Sequence, residues 1–83
     1  MIRPGIDFGG LVMSFSDRII QLKKERKLLQ KDIASSVGLS FRAYQYYEKG
    51  QKEPTLSVLL RLADYFDVSL DYLVGLSDTP ERR

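Results

Sequence analysis

Residues 30–49 read QKDIASSVGLSFRAYQYYEK, and the fold turns on which way each side chain of this stretch points. Ile33, Ala34 and Val37 fall on one side of two helical turns. Gly38 then ends that segment, because a left-handed backbone costs little only for glycine. Ser40 is a good N-cap for a helix over about Phe41 to Lys49, which Gly50 stops. On a wheel of about 100° per residue with Phe41 at zero, Gln45, Lys49, Arg42 and Tyr46 spread from about 40° to about 140°. Tyr47 and Tyr44 fall at about 240° and 300°. The aromatics therefore divide. Tyr44 and Tyr47 enter a core with Ile33, Val37 and Leu39, while Phe41 and Tyr46 share the opposite face with Arg42, Gln45 and Lys49.

That outer face holds the groups with which a major groove is read. A guanidinium grips guanine O6/N7 or a phosphate, an amide pairs with adenine N6/N7, and an aromatic ring touches a thymine methyl. The same face equally suits packing against a neighbouring helix or subunit, since exposed aromatics also mark protein interfaces.

The flanks extend the helical pattern. Ser16 is the expected N-cap of a first helix over about Asp17 to Lys27, with Ile19, Leu22 and Arg26 on one face. Pro54 and Thr55 open a fourth helix in which Leu56, Leu59, Leu60, Ala63 and Phe66 recur at i, i+3 and i+4 spacing. Ser69 caps a short fifth, with Leu70, Leu73 and Val74 as its apolar edge. No strand-like alternation or internal repeat interrupts this. The expected class is all-α, with five short helices. Residues 1–14, carrying Pro4, Gly5, Gly9 and Gly10, read as a loose leader before a domain over 15–76 and a C-terminal tail over 77–83.

Composition narrows the chemistry. A chain of 83 residues with 43% hydrophobic and 29% charged residues is one globular domain rather than a disordered segment. It contains neither cysteine nor histidine, which removes thiolate and imidazole nucleophile systems and the usual zinc ligands. No glycine-rich phosphate loop is present, so neither an enzyme nor a cofactor is implied. The lack of cysteine suits a reducing cytoplasm, and no apolar run approaches the roughly 18 residues of a membrane span. Charge is unevenly spread. Arg18, Lys23, Lys24, Arg26, Lys27, Lys31, Arg42, Lys49 and Lys52 face only Glu25, Asp32 and Glu48 between them. From Glu53 to Thr79, Arg61 stands alone against Glu53, Asp64, Asp67, Asp71 and Asp78. A basic half and an acidic half suit a polyanion partner on one side, or simply solvated helix faces.

Residues 30–49 resemble the helix-turn-helix of the Cro and phage-repressor (lambda repressor-like) family. The likeness rests on Ile33 and Ala34, on Val37, Gly38 and Leu39, and on the buried positions Tyr44 and Tyr47. Ala34 is small enough for two helices to cross closely, and Gly38 permits the tight turn. The likeness extends over about residues 16–76, through EKGQKEPTLSVLLRLADYFDVSLDYLVG. It implies a compact five-helix domain whose third helix enters the major groove. It also implies base reading by Ser40, Phe41, Arg42, Gln45, Tyr46 and Lys49, and a phosphate contact from Gln30; Lys27, Lys31 and Lys52 are expected to add further phosphate contacts. Glu48 matches a glutamate that pairs with a base in the first helix, here Lys23, as a structural contact. The chain departs from the pattern at Leu29, where a capping Ser or Thr is usual, and in placing bulky Tyr at both buried positions of the third helix.

The resemblance implies a DNA-binding transcriptional regulator of prokaryotic or phage-like type, most simply a repressor. One recognition helix covers only a few base pairs, so a homodimer on a palindromic operator is expected. Its expected contact surface is the acidic C-terminal part, around Tyr65, Phe66, Leu70, Tyr72, Leu73 and Leu76. The alternative is a protein-interaction module, such as an antitoxin or repressor antagonist, with Phe41 and Tyr46 as anchors.

Overall fold

The computed structural model describes residues 13–82, so the expected leader falls almost wholly outside the described residues. Within them the chain forms α1 (Phe15–Glu25), α2 (Gln30–Ser36), α3 (Phe41–Glu48), α4 (Leu56–Phe66) and α5 (Leu70–Leu73). This is an all-helical domain.

Each helix except α2 starts on a side-chain cap. Ser40, Thr55 and Ser69 accept from the N–H groups of Ala43, Val58 and Tyr72 at 3.0, 3.2 and 3.0 Å. A cap of this kind contributes about 1 kcal/mol. α2 begins at Leu29 with no side-chain cap, although Asp32 places a negative charge in its first turn, where the helix dipole favours one.

α1 departs from the expected bounds. Its N-cap is Ser14, which accepts from the Asp17 N–H at 3.1 Å, rather than Ser16. Starting two residues earlier places Phe15 edge-on to the Tyr47 ring, with centroids 6.3 Å apart. Ser16 then lies in the first turn, and its hydroxyl donates to the Tyr47 carbonyl at 2.7 Å, fastening α1 to the end of α3. Tertiary packing has overridden the local capping signal. The helix also ends earlier, at Glu25, because Lys27 takes a left-handed conformation with φ 56°.

The core draws on every helix. Ile19 and Leu22 meet Ile33, Ala34, Val37, Tyr44 and Tyr47, and Val58, Leu62, Ala63, Phe66, Val68, Tyr72 and Leu73 complete it. On α4 the buried stripe runs through Val58, Leu62 and Phe66, one turn apart. Leu56 and Leu60 stand two residues before the first two, about 200° round the helix. They are exposed instead of buried, at 64% and 51%. Of the expected apolar face, Ala63 and Phe66 are buried and Leu59 packs against the core, so the reading errs at Leu56 and Leu60. Burial also overturns half of the expected self-association surface: Phe66, Tyr72 and Leu73 are core residues and are closed to a partner.

Arg18 is 2% exposed, the sole buried charged residue among those described. Its Nε donates to the Tyr72 carbonyl at 2.8 Å and its Nη2 to the Ser77 carbonyl at 2.9 Å. Its Nη1 donates to Gln21 Oε1 at 2.9 Å, and the guanidinium lies 3.7 Å from the Tyr72 ring centroid. With a partner on each of its three nitrogens and the Tyr72 ring beneath it, the buried charge is tolerated. Residues after α5 fold back over the domain. The Ser69 N–H donates to the Pro80 carbonyl at 2.9 Å, and Arg82 lies 3.2 Å from Asp64 and 3.4 Å from Asp67.

Candidate nucleic-acid interface

Two contacts fix the angle between α2 and α3. Gly38 takes φ +74° at the turn, and the Leu39 N–H donates to the Ala34 carbonyl at 2.8 Å. Arg61 of α4 reaches the same turn, donating through Nη1 to the Val37 carbonyl at 2.8 Å. A Cβ on Gly38 would come within 2.9 Å of that nitrogen. The turn therefore requires glycine twice over, for its backbone and for the arginine beside it.

On α3 the aromatics split as the wheel requires. Tyr44 and Tyr47 are 0% and 4% exposed, whereas Phe41 and Tyr46 are 49% and 39% exposed. Arg42 and Lys49 are exposed on the outer side, with Gln45 half-buried at its edge. Ser40 is exposed, and its oxygen is engaged in capping. Lys49 and Lys52 line one shallow groove where the end of α3 meets the start of α1. Lys27 and Lys31 are exposed in the turn before α2 and on its first turn.

Behind this face lies a polar relay. Lys23 Nζ lies 3.0 Å from Glu48 Oε1, and the Glu48 side chain is only 7% exposed. Gln30 Nε2 donates to the same oxygen at 2.9 Å. Gln45 Nε2 in turn donates to Gln30 Oε1 at 3.3 Å. Three helices are thus joined through side chains. Gln30 also has its amide turned toward α3 rather than free at the helix start.

The second oxygen of Glu48 and the Tyr44 hydroxyl are buried without a partner in hydrogen-bond geometry. They are nonetheless close enough to interact. Burial, and after it the neighbouring Glu48 carboxylate, push the Tyr44 phenol well above the ordinary tyrosine range. The proton stays on the phenol.

The basic half is less uniform than the sequence suggests. Arg18 is buried against α5, Lys23 is neutralised by Glu48, and Arg26 lies over the Phe66 ring, 5.5 Å from its centroid. Three positioning residues escaped the sequence reading: Arg18, Arg61 and Ser16. Arg18 sits one turn before Leu22 on the apolar stripe of α1, a signal of burial that charge counting obscures. Arg61 and Ser16 carry no such signal, since their partners are backbone carbonyls far along the chain. No helix among the described residues is long and apolar enough to cross a membrane.

Known proteins share this arrangement. The helix-turn-helix family profile matches residues 19–73. The HTH-type transcriptional regulator YobD of Bacillus subtilis (strain 168), itself uncharacterized, is 39% identical over 67 residues, covering 81% of this chain and 60% of that protein. The cryptic phage CTXphi transcriptional repressor RstR of Vibrio cholerae is 37% identical over 65 residues, covering 78% and 59%. The chain spans about half to three fifths of the length of the curated relatives it matches. Among solved structures, the P22 c2 repressor in complex with synthetic operator 9T superposes with a TM-score of 0.73 at 29% identity, over 78% of this chain and 98% of that one. A transcriptional regulator from Listeria innocua gives 0.71 at 39% identity, over 75% and 58%. Sequence and superposition agree with the turn geometry built by Gly38 and its neighbours, and the chain belongs to the helix-turn-helix family.

Proposed function

We propose that this domain binds double-stranded DNA sequence-specifically, with α3 in the major groove, and regulates transcription, most simply by repression. The observation that carries the reading is the outward face of α3. Phe41 and Tyr46 stand at 49% and 39% exposure beside exposed Arg42, while the other two tyrosines of the helix hold it to the core. Side chains on that face reach base edges, and Arg42 supplies the fork that matches guanine. Ser40, Phe41, Arg42, Gln45, Tyr46 and Lys49 are the proposed base readers. Gln30, Lys27, Lys31 and Lys52 are the proposed phosphate contacts, which set register without reading sequence. The superposition with a repressor solved on an operator supports this placement.

A homodimer on a palindromic site, with recognition helices about 34 Å apart, follows from the short footprint of one helix. With Phe66, Tyr72 and Leu73 in the core, the surface proposed for self-association is the groove lined by exposed Leu60 and half-buried Leu70. That side lies in the acidic half of the chain, which like charge keeps away from DNA.

Selection of binding sites from random duplex DNA tests the reading directly. A recovered palindrome, bound with a slope of log K against log salt of about −5 to −7 for the dimer, is expected. Recovery of no sequence, with binding to unselected DNA absent at low salt, would reject it in favour of a protein-interaction module.

A further inference from the structure

We infer that Glu48 is a positioning residue for base reading: through Gln30 it fixes which way round the Gln45 amide faces the groove. The inference rests on the proposed role of Gln45 as a base reader and adds what orients it. An amide side chain is ambiguous by itself, because its oxygen accepts and its nitrogen donates, and a half-turn exchanges the two. Discrimination between bases needs one orientation. A carboxylate removes the ambiguity, since an ionised Glu only accepts.

Lys23 Nζ, a pure donor, lies 3.0 Å from Glu48 Oε1 and keeps that oxygen an acceptor. Gln30 is 2.9 Å from the same oxygen and must therefore present its nitrogen to it, not its own oxygen. That leaves Gln30 Oε1 on the other side, toward Gln45, which at 3.3 Å must answer with its nitrogen. One N–H of Gln45 is thereby used, and its oxygen and second N–H remain together. An oxygen beside an N–H matches adenine in a bidentate contact, in which N6–H donates to the oxygen and N7 accepts from the N–H. Released from Gln30, the Gln45 amide turns freely and loses that preference at no cost to the rest of α3.

The test separates orientation from mere stability. The wild-type protein is first used to select an operator, and Gln45→Ala identifies the base pair that Gln45 reads. Affinities for the operator and for versions changed at that pair are then measured for Glu48→Met, Lys23→Met and Glu48→Gln. The wild type should prefer its operator by about 10-fold or more at that pair. Glu48→Met and Lys23→Met both break the ion pair, but only the first frees Gln30. We expect Glu48→Met to reduce the preference to about 2-fold or less, with discrimination at pairs read by Arg42 intact. Lys23→Met should keep the wild-type preference. Glu48→Gln should keep it too, because the Lys23 ammonium holds the amide oxygen where Oε1 stands. If Glu48→Met does not fold, Gln30→Met severs the relay with the ion pair in place and should give the same loss of preference at that pair, on top of a weakening shared by all sequences from its proposed phosphate contact.

Equal loss of affinity for all sequences in Glu48→Met and Lys23→Met, with the preference unchanged, would overturn the inference while leaving the proposed function standing. Failure of the wild type to select any operator would remove both.

Discussion

Arg61 and Val37 meet across the domain: a guanidinium nitrogen of α4 donates to the last carbonyl of the α2 cap at 2.8 Å. The contact closes the end of the first helix of the motif and leans on the glycine turn. Arg61→Ala should destabilise the domain by about 1–3 kcal/mol, since a carbonyl that loses a charged donor is left poorly satisfied. Urea unfolding measures it. The folded fraction should retain the wild-type salt slope, because Arg61 is placed against protein rather than phosphate.

Gly38→Ala should cost more than the usual 1 kcal/mol for a left-handed alanine, because the added methyl also displaces Arg61. In an Arg61→Ala background the collision is absent and only the backbone cost remains. A double-mutant cycle should therefore show clear coupling between the two positions.

Lys27 separates stability from binding. Its φ of 56° is strained for any side chain bearing a Cβ. Lys27→Gly should stabilise the domain by up to about 1 kcal/mol, read as a higher Tm. The same change should weaken binding to operator and random DNA alike, with the salt slope shallower by about 1 per subunit. Arg42→Ala should behave oppositely, leaving Tm unchanged and relaxing preference at one or two base pairs by about 1–3 kcal/mol.

Tyr44 predicts a response to alkali. Its folded-state pKa is raised above the unfolded value, so the native state holds the phenol proton more tightly. The associated stability is fully present below about pH 10, the ordinary tyrosine value, and is lost as pH rises beyond it. The wild type should lose stability above pH 10 faster than Tyr44→Phe, by up to about 1.4 kcal/mol per pH unit. At neutral pH, Tyr44→Phe should cost about 1 kcal/mol, because the buried Glu48 oxygen loses the hydroxyl beside it.

Much of this architecture was legible in the residues. The division of α3 into two faces followed from spacing, but both carry aromatics, and it is the exposure of Phe41 and Tyr46 that shows which face looks outward. Two of the caps were likewise readable, from Ser40 and Ser69. The start of α1 was not, because Ser14 and Ser16 are both competent caps and only the Phe15–Tyr47 contact distinguishes them. Leu56 and Leu60 misled for a related reason. Leucines at proper spacing look like core, yet Val58 and Leu62 offer a second stripe, and the partner surface chooses between them. The site residues were placed by pattern, but the relay through Gln30 was invisible in the chain. It joins side chains 15 and 18 positions apart in sequence, and no local rule encodes it.

The split of α3 has an evolutionary consequence. With Tyr44 and Tyr47 in the core and Glu48 tied to α1 and α2, substitutions at exposed Phe41, Arg42 or Tyr46 leave the interior untouched. On the proposed reading, such a protein can be retargeted to a new operator in single steps, without compensating changes elsewhere. Gln45, wired through Gln30 to Glu48, would then be the slowest letter of the code to rewrite.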